Sequence, residues 1–465
     1  MQHYIEKIFT APVYDVATKT PLDAMPRLSD RLGHNILCKR EDLQPVFSFK
    51  VRGAYTKMYR LNEAERARGV ICASAGNHAQ GVALSANRLG IRAVIVMPVT
   101  TPAIKIDAVR RLGGAQVEIV LHGDYYDAAS QHARALQEAH GYTYIHPFDD
   151  PDVIAGQGTL ALEILSQHPH PIDAIFVPCG GGGLLAGIAV LVKTLRPDIR
   201  IIGVEPEDAA SMTAAVRGGK RQTLDHVGIF ADGVAVKMPG ELTYDIIKRH
   251  VDDFITVSTD EICAGMKDLF DDTRAIAEPS GAVAVAGLKK WAAQQEAKGL
   301  TLINIISGAN MNFDRLRYIA ERTEIGEQRE GLLAVTIPEV PGAFLNFCTL
   351  LGNQNVTEFS YRYQSAAQAQ IFVGVELSGG RAQLDALIAK LRGEGYDTEN
   401  LTDNELAKSH LRYMIGGASA AVAVDDMGGL GSQNRLVCPA RLATWLNTSS
   451  RIMLRTELNR EMAAE

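Results

Sequence analysis

Cysteine is scarce in this chain of 465 residues, which has six, and none belongs to a C-x-x-C pair. This density is far below that of a disulfide scaffold, so we expect reduced thiols and a cytoplasmic protein. The chain also lacks a block of lysines and arginines, and its net charge is −7, which argues against nucleic acid as a partner. The cysteines are Cys38, Cys72, Cys179, Cys263, Cys348 and Cys438.

Long apolar runs are missing as well. The first residues do not resemble an apolar signal region. The longest uncharged apolar run, residues 180–192, falls short of the ~20 residues that span a bilayer, so we expect no membrane partner. What the chain has is an ordinary globular composition, 46% hydrophobic and 22% charged. Its length suggests roughly three folding units at ~150 residues each.

From about residue 30 to residue 310, short apolar runs alternate with helical patterns such as residues 78–89. Near-continuous apolar strands separated by helices predict an α/β fold with parallel sheets covered on both faces. The number of strands favours two such sheets. The predicted strands include residues 69–73, 92–97, 116–120, 174–177, 200–204 and 301–306.

Beyond this region the character of the sequence changes. Residues 321–330 are polar and charged, which is typical of a linker between domains. Residues 331–405 then show the order βαββαβ, the split-βαβ arrangement of ferredoxin-like domains. The tail, residues 418–465, has no sustained period. The elements predicted in 331–405 are strands 332–337, 355–363, 368–377 and 397–401, and helices 343–351 and 381–394.

Four consecutive glycines, Gly180 to Gly183, stand with Leu184 between an apolar strand and an apolar helical run. Without side chains, successive backbone N–H groups can surround an anion at a helix N-terminus. The alternative is a merely tight turn, for which one or two glycines suffice. The pattern therefore favours a phosphate-binding loop.

Lys50 follows the apolar residues Val46, Phe47 and Phe49. A lysine is usually a solvated surface residue, but a desolvated lysine has a lowered pKa and can form a Schiff base with an aldehyde. The residues around Lys50 leave both interpretations open.

Two further turns follow predicted strands. The first begins a helix, where small residues and exposed N–H groups suit a carboxylate; Asn77 could donate to a phenolate-type oxygen, and His78 is assigned no catalytic role. In the second, Ser307 places a hydroxyl at the carboxyl end of a strand, where ligands bind in open α/β sheets. Glu278 begins a turn into another helix, and a helix cap is a sufficient explanation for it. The first turn comprises Ser74, Ala75, Gly76, Asn77 and His78.

Taken in order, these segments resemble the fold-type II pyridoxal-phosphate enzymes, and most closely threonine dehydratase. The resemblance extends over nearly all of residues 1–410. Each motif is weak alone, but the ordered series is highly specific. The matching stretches are TPL at residues 20–22, KREDLQPVFSFKVRGAY at 39–55, SAGNHAQG at 74–81, AGQGT at 155–159, CGGGGLLAG at 179–187, ADGVAV at 231–236, EPSGA at 278–282 and SGAN at 307–310.

The resemblance implies that residues 1–320 form the catalytic domain, with a small subdomain of roughly 50–150 inserted in it, and that pyridoxal 5′-phosphate is the cofactor. Lys50 would hold it as a Schiff base and, once displaced by substrate, shuttle the α-proton. Phe49 would lie beside the ring. Asn77 would bond the ring 3′-oxygen, and Ser307 would face the pyridine nitrogen. The cofactor-binding positions so implied are Phe49, Lys50, Asn77, Gly180, Gly181, Gly182, Gly183, Leu184 and Ser307.

The same resemblance implies the chemistry. Residues 74–78 would receive the carboxylate of L-threonine, which would lose its α-proton and β-hydroxyl to give 2-oxobutanoate and ammonia. A neutral hydroxyl at the pyridine nitrogen does not force ring protonation, which suits elimination over transamination. The family's donor to the leaving hydroxyl is the cofactor phosphate. Some relatives bind a divalent cation; Glu205 and Ala209 fit that pattern, but Ser211 stands where an acid is expected, so we predict no required metal.

The C-terminal unit resembles the ACT-like regulatory domain of biosynthetic threonine dehydratases. This implies isoleucine biosynthesis, inhibition by isoleucine with valine opposing it, and a homotetramer. Some members carry two such repeats, and residues 409–417 resemble the connection to a second, yet no second PEVPGAF follows. The tail 418–465 is either a truncated or frame-altered remnant or a divergent extension. Feedback control is therefore left open.

Two rival functions remain. One is an L-serine dehydratase or racemase on the same scaffold, since an apolar pocket selects for one methyl group by only ~1–3 kcal/mol. The other is a catalytically inactive isoleucine-binding regulator, against which the presence of Lys50, the four glycines and Ser307 in one chain counts.

Overall fold

The protein is described by a computed structural model that covers residues 2–327, 329–352, 354–363 and 367–404. The chain divides into two units between Ala320 and Glu321. Residues 409–417 and the tail 418–465 lie outside the described residues.

The strands are β1 Leu22–Ala24, β2 Asn35–Arg40, β3 Val70–Ala73, β4 Ala93–Met97, β5 Val117–Leu121, β6 Thr143–Tyr144, β7 Ala174–Pro178, β8 Arg200–Pro206, β9 Asp253–Val257, β10 Thr301–Ile306, β11 Glu330–Pro338, β12 Val356–Tyr363, β13 Gln368–Glu376 and β14 Asp397–Asn400. The helices are α1 Gln2–Phe9, α2 Pro26–Leu32, α3 Lys50–Tyr59, α4 Glu63–Arg68, α5 Asn77–Leu89, α6 Ala103–Gly113, α7 Tyr126–His140, α8 Pro151–Gln167, α9 Gly183–Leu195, α10 Ser211–Gly218, α11 Glu241–His250, α12 Thr259–Thr273, α13 Pro279–Ala292, α14 Arg315–Gly326, α15 Ala343–Leu351 and α16 Gly380–Gly393.

The segment predicted as a linker, residues 321–330, has regular structure at both ends. Helix α14 continues to Gly326, and strand β11 already begins at Glu330. Glutamate and arginine are good helix formers, so a charged stretch of this kind is as compatible with an exposed helix as with a linker.

The larger sheet of the first unit has the order β1-β2-β10-β7-β8-β9. Strand β1 is antiparallel to β2, and the other neighbours are parallel, as the apolar runs predicted. Successive side chains alternate between faces: Ile175 and Val177 pack against α8, α9 and α11, and Phe176 packs against α12 and α13. Phe176 meets Trp291 edge to face at 5.6 Å, and its burial alone contributes roughly 2–3 kcal/mol.

The smaller sheet is formed by the chain between β2 and β7. It is parallel throughout and has the order β5-β4-β3-β6. Its core consists of buried side chains of β3 and β4 packed against α3 and α5, including Met58, Cys72, Val82 and Ile95. The two predicted parallel sheets, with the second inserted in the first, are therefore present.

Local sequence sets several helix starts beside the site. The carboxylate of Asp150 accepts from the amides of Asp152 and Val153 at 2.8 and 3.2 Å, and Pro151 occupies the first position of α8. Such an N-cap is worth about 1 kcal/mol, and proline is pre-organised at that position. Asp149, the preceding residue, accepts from the amides of Leu242 and Thr243 and so begins α11. Asp149 and Asp150 thereby hold the starts of α11 and α8 next to the segment that contains Pro147 and Phe148.

The second unit has the order β12-β13-β11-β14, and all its strand pairs are antiparallel. Together with α15 and α16 this is the predicted βαββαβ, ferredoxin-like arrangement. Its core is apolar and centres on Val335, Phe347, Val373 and Leu391.

Candidate active site

The candidate site lies at the carboxyl ends of three parallel strands. Residues 74–77 follow β3, the glycines follow β7, and residues 307–310 follow β10. Asn310 Nδ2 donates to Asn77 Oδ1 at 2.6 Å, which joins the turn of the smaller sheet to that of the larger sheet. The edge where ligands bind in open α/β sheets is therefore assembled from both sheets.

Lys50 is the first residue of α3 and is partly buried. Its Nζ donates to the carbonyl oxygen of Pro147 at 3.0 Å and lies 5.3 Å from the centre of the Phe49 ring. Burial lowers the pKa of Lys50 to about 8, and the negative charge of Glu278 opposes that shift. An amine with this pKa is partly neutral near pH 8 and can act as a nucleophile or a base.

Phe49 and Ser307 are held together by the backbone. The amide of Phe49 donates to the carbonyl of Ser307 at 3.2 Å, and Ser48 forms a bridge with Gly308. The buried hydroxyl of Ser307 donates to the carbonyl of Ser280 at 3.2 Å. Because a hydroxyl can rotate, this long bond can be exchanged for one to a ligand.

The glycines form a tight cradle at the start of α9. A Cβ on Gly181 would overlap the Phe148 ring, and one on Gly180 would lie 2.9 Å from Cα of Val234. Gly182 has φ +93°, a left-handed conformation that glycine adopts without strain. Leu184 lies in the first turn of α9, whose N–H groups have no partner within the helix. The backbone around Phe148 thus closes both on the glycines and, through Pro147, on Lys50.

The turn at residues 74–78 is open on one side. A Cβ on Gly76 would meet nothing within 4 Å, so its backbone is accessible. The hydroxyl of Ser74 accepts from the amides of Gly76 and Ala79, both at 3.3 Å, which shapes the turn. Ala75 is partly buried beside them. The geometry leaves backbone N–H groups available to an anion.

His78 points away from that opening. Its Nε2 bonds the carbonyl of Ile145 at 2.8 Å, and burial lowers its pKa to about 3, with the charge of Lys50 acting in the same direction. The ring is therefore neutral at physiological pH.

The sequence suggested that Glu278 serves as a helix cap, and the structure shows otherwise. It occupies the N-cap position of α13, yet its side chain caps nothing there. Instead Oε1 accepts from Asn77 Nδ2 at 2.6 Å, across 201 positions of sequence. Burial raises the pKa of Glu278 to about 7, the charge of Asp232 adds to this, and the Asn77 hydrogen bond opposes it. The available signal was that glutamate is not among the favoured N-cap residues.

Glu205 hydrogen-bonds the backbone at the start of a helix. Its buried carboxylate accepts from the amides of Met212 and Thr213 at 2.9 and 2.7 Å, at the start of α10. Burial raises its pKa to about 7. Within the described residues, no cluster of three or more His, Cys, Asp and Glu side chains is placed to hold a metal ion. Among the described helices, none has both the length and the apolar character needed to cross a membrane.

Two parts of the chain match known protein families. Residues 13–308 match the family of pyridoxal-phosphate dependent enzymes, and residues 321–411 match the C-terminal regulatory domain of threonine dehydratase. The biosynthetic L-threonine dehydratase of Burkholderia multivorans is 54% identical over 91% of this chain and 83% of its own length. The Escherichia coli protein of the same description is 55% identical over 89% of this chain and 80% of its own length.

Solved structures agree. The processed form of threonine deaminase isoform 2 from Solanum lycopersicum matches with a TM-score of 0.67 and 50% identity, over 69% of this chain and 92% of its own. Maize serine racemase matches with a TM-score of 0.64 and 33% identity, over 68% of this chain and 95% of its own. With the glycine cradle, the partly neutral lysine and the regulatory unit in one chain, the protein belongs to the biosynthetic threonine dehydratases, a family of pyridoxal-phosphate-dependent lyases.

Proposed function

We propose that this chain deaminates L-threonine to 2-oxobutanoate and ammonia, as the first step of isoleucine synthesis. The observation that carries the proposal is Lys50, whose amine has a pKa of about 8 and lies beside the segment that packs on the glycine cradle. The relatives named as threonine dehydratases, at 54–55% identity, support the choice of substrate.

The residues present fit the cofactor. A phosphate needs convergent N–H groups, and the start of α9 supplies them. The close packing of Val234 on Gly180 and of Phe148 on Gly181 holds that backbone in place. When bound, pyridoxal 5′-phosphate supplies the electron sink that makes the Cα–H bond of an amino acid acidic. In this proposal the backbone of residues 180–184 holds the phosphate, Lys50 bonds the aldehyde, and Phe49 lies beside the ring. Asn77 donates to the ring oxygen, and Ser307 faces the ring nitrogen.

Chain residues also orient and deprotonate the substrate. The open backbone at residues 74–78 receives the carboxylate, which directs Cα toward Lys50. Lys50 Nζ, freed when the substrate amine replaces it on the aldehyde, would then take the α-proton, a transfer to which its lowered pKa is suited near neutral pH. The β-hydroxyl leaves with a proton as water, and hydrolysis of the resulting enamine consumes one water and releases ammonia and 2-oxobutanoate.

The test is a product assay on purified, cofactor-loaded protein. We expect 2-oxobutanoate from L-threonine, with less pyruvate from L-serine, because one methyl group contributes only ~1–3 kcal/mol of selectivity. Serine turnover exceeding threonine turnover, or racemised serine as the main product, would favour the serine enzymes, of which maize serine racemase is a structural neighbour. A protein that binds no cofactor and forms neither product would instead be an inactive regulator.

We further propose that the second unit binds isoleucine, which inhibits the enzyme, and that valine opposes this effect. The support is the match to the regulatory domain of threonine dehydratase and the complete βαββαβ unit from β11 to β14. The same assay with L-isoleucine tests it: suppression that L-valine relieves is expected, whereas unchanged turnover would contradict the proposal.

A homotetramer in the cytoplasm completes the proposal. The buried thiols of Cys38, Cys72 and Cys179 suit a reducing compartment. Light scattering should give about four times the chain mass of 50.3 kDa, and a monomeric mass would contradict the tetramer.

A further inference from the structure

The buried carboxylate of Glu278 has no role in the function proposed above. Its side chain is 3% exposed and belongs to α13, whose N-terminus it does not cap. It reaches Asn77 at the start of α5, in the other sheet's part of the unit. A charged group is rarely buried in this way without a partner or a function.

The orientation of the Asn77 amide is set from both ends. Asn310 Nδ2 donates to the carbonyl of Val46 at 2.8 Å and to Asn77 Oδ1 at 2.6 Å. Because a carbonyl cannot donate, Asn310 must present its nitrogen, and Asn77 must therefore present its oxygen to Asn310. The Asn77 nitrogen then faces Glu278 Oε1 at 2.6 Å.

Among the described residues, these bonds use only one of the two N–H groups of Asn77. A primary amide has two N–H groups, and Glu278 takes one of them. The other is fixed in direction by the planarity of the amide. If the Asn77 amide were rotated, its nitrogen would face the nitrogen of Asn310, and its oxygen would face the carboxylate of Glu278.

The Glu278 side chain is tightly packed against the turn after β10. A Cβ on Gly308 would lie 2.6 Å from Oε1, so only glycine leaves space for the carboxylate between α13 and the turn after β10. The amide of Glu278 donates to the Gly308 carbonyl at 3.0 Å, which fixes the two segments together. The charged groups that act on Glu278 are Asp232 and Lys105, which pair with each other at 2.8 Å, and its own charge acts on Lys50.

We propose that Glu278, together with Asn310, is a positioning residue that orients Asn77 so that its second N–H bonds the ring oxygen of the cofactor. The inference rests on the proposed role of Asn77. Glu278 acts only through Asn77, so its loss should alter the cofactor's environment as well as turnover.

The experiment compares Glu278→Ala and Glu278→Gln with wild type as cofactor-loaded enzyme. The readouts are the visible absorption spectrum and the rate of cofactor release. Glu278→Ala should change the band and speed release about tenfold, as expected when a buried donor loses its acceptor. Glu278→Gln should lie between it and wild type, because the carboxamide keeps one acceptor for Asn77 but loses the charge.

The matched control is Asp268→Asn. Asp268 is another buried carboxylate; it lies on α12 and accepts a hydrogen bond from Arg31 at 2.7 Å. The variant should lower thermal stability and leave the spectrum and the release rate unchanged. If Glu278→Ala does not fold, Asn310→Ala breaks the other end of the chain and should change both readouts in the same direction.

Asn77→Ala separates the two levels of the argument. If Asn77→Ala alters the spectrum while Glu278→Ala and Asn310→Ala both match wild type, the inference is wrong and the proposed function stands. If Asn77→Ala itself has the wild-type spectrum and release rate, the assignment of Asn77 to the ring oxygen is wrong, and the inference is overturned with it.

Discussion

Lys39 and Lys50 stand eleven positions apart, and their surroundings differ: Lys39 is fully buried and Lys50 partly buried. Lys39 Nζ donates to the Thr20 carbonyl and Glu163 at 2.6 Å and to Gln167 at 2.9 Å, which uses all three of its N–H donors. Lys50 Nζ has one hydrogen bond among the described residues, to Pro147.

Burial lowers the pKa of both lysines, but the opposing charges differ. The hydrogen bond that Lys39 donates to Glu163 opposes the shift at Lys39, whereas Glu278 opposes it at Lys50 by its charge. The comparison teaches that a saturated buried ammonium is structural, and that an amine with unused donors and a pKa of about 8 is available for chemistry.

The largest expected effect comes from Lys50→Ala. The turnover of L-threonine should fall by roughly a thousandfold, because the group proposed to move the α-proton is lost. Steady-state kinetics measure this, and thermal unfolding should show that the fold is kept. A variant that retains a tenth of the wild-type rate would contradict the view that Lys50 serves the chemistry while Lys39 is structural.

Lys39→Met tests the other half of the comparison. It leaves Glu163 short of a partner in a fully buried cluster, which should cost about 3 kcal/mol in the free energy of unfolding. Denaturant titration measures this. Arg92→Met, which breaks an ion pair with Glu118 whose side chains are 60% and 52% exposed, is the control and should cost no more than ~1 kcal/mol. Equal losses in the two variants would contradict the account.

Gly181→Ala sharpens the comparison by disturbing the single hydrogen bond of Lys50. The added Cβ would overlap Phe148, the neighbour of Pro147, and displacing it should weaken cofactor affinity about tenfold, since overpacking costs ~1–3 kcal/mol. Titration of the apoenzyme measures the affinity. Gly218→Ala, whose Cβ would meet nothing within 4 Å at the end of α10, should bind the cofactor as wild type does.

The smallest effect is a dependence on pH. Only the neutral amine of Lys50 attacks an aldehyde, and with a pKa of about 8 about a tenth of it is neutral at pH 7. The rate at which apoenzyme takes up cofactor should rise with pH up to about 8 and then level off. A rate that continues to rise toward the ordinary lysine pKa of 10.5 would show that burial does not tune this amine.

The sequence predicted most of the architecture because its periodicities are local. The apolar runs became β3, β4, β5, β7, β8 and β10, and each element of the second unit was foreseen to within two residues. The helical part of residues 321–330 was not predicted, because charged residues that favour a linker also favour a helix such as α14.

The site was harder to predict where a role depends on distant contacts. Lys50, Asn77 and the glycines stand in recognisable turns, so they could be proposed from their neighbours in sequence. Glu278 could not, because its partner Asn77 is 201 positions away and its own position resembles a helix start. The sequence of the turn at His78 likewise did not reveal that its ring bonds Ile145 and faces the core.

The most direct test of the account is to identify which lysine carries the cofactor. The holoenzyme is reduced with borohydride, which makes the lysine–cofactor bond permanent, then digested and mapped by mass spectrometry. The account predicts the label on Lys50 and none on Lys39. A label on Lys39, or on any other lysine than Lys50, would contradict it.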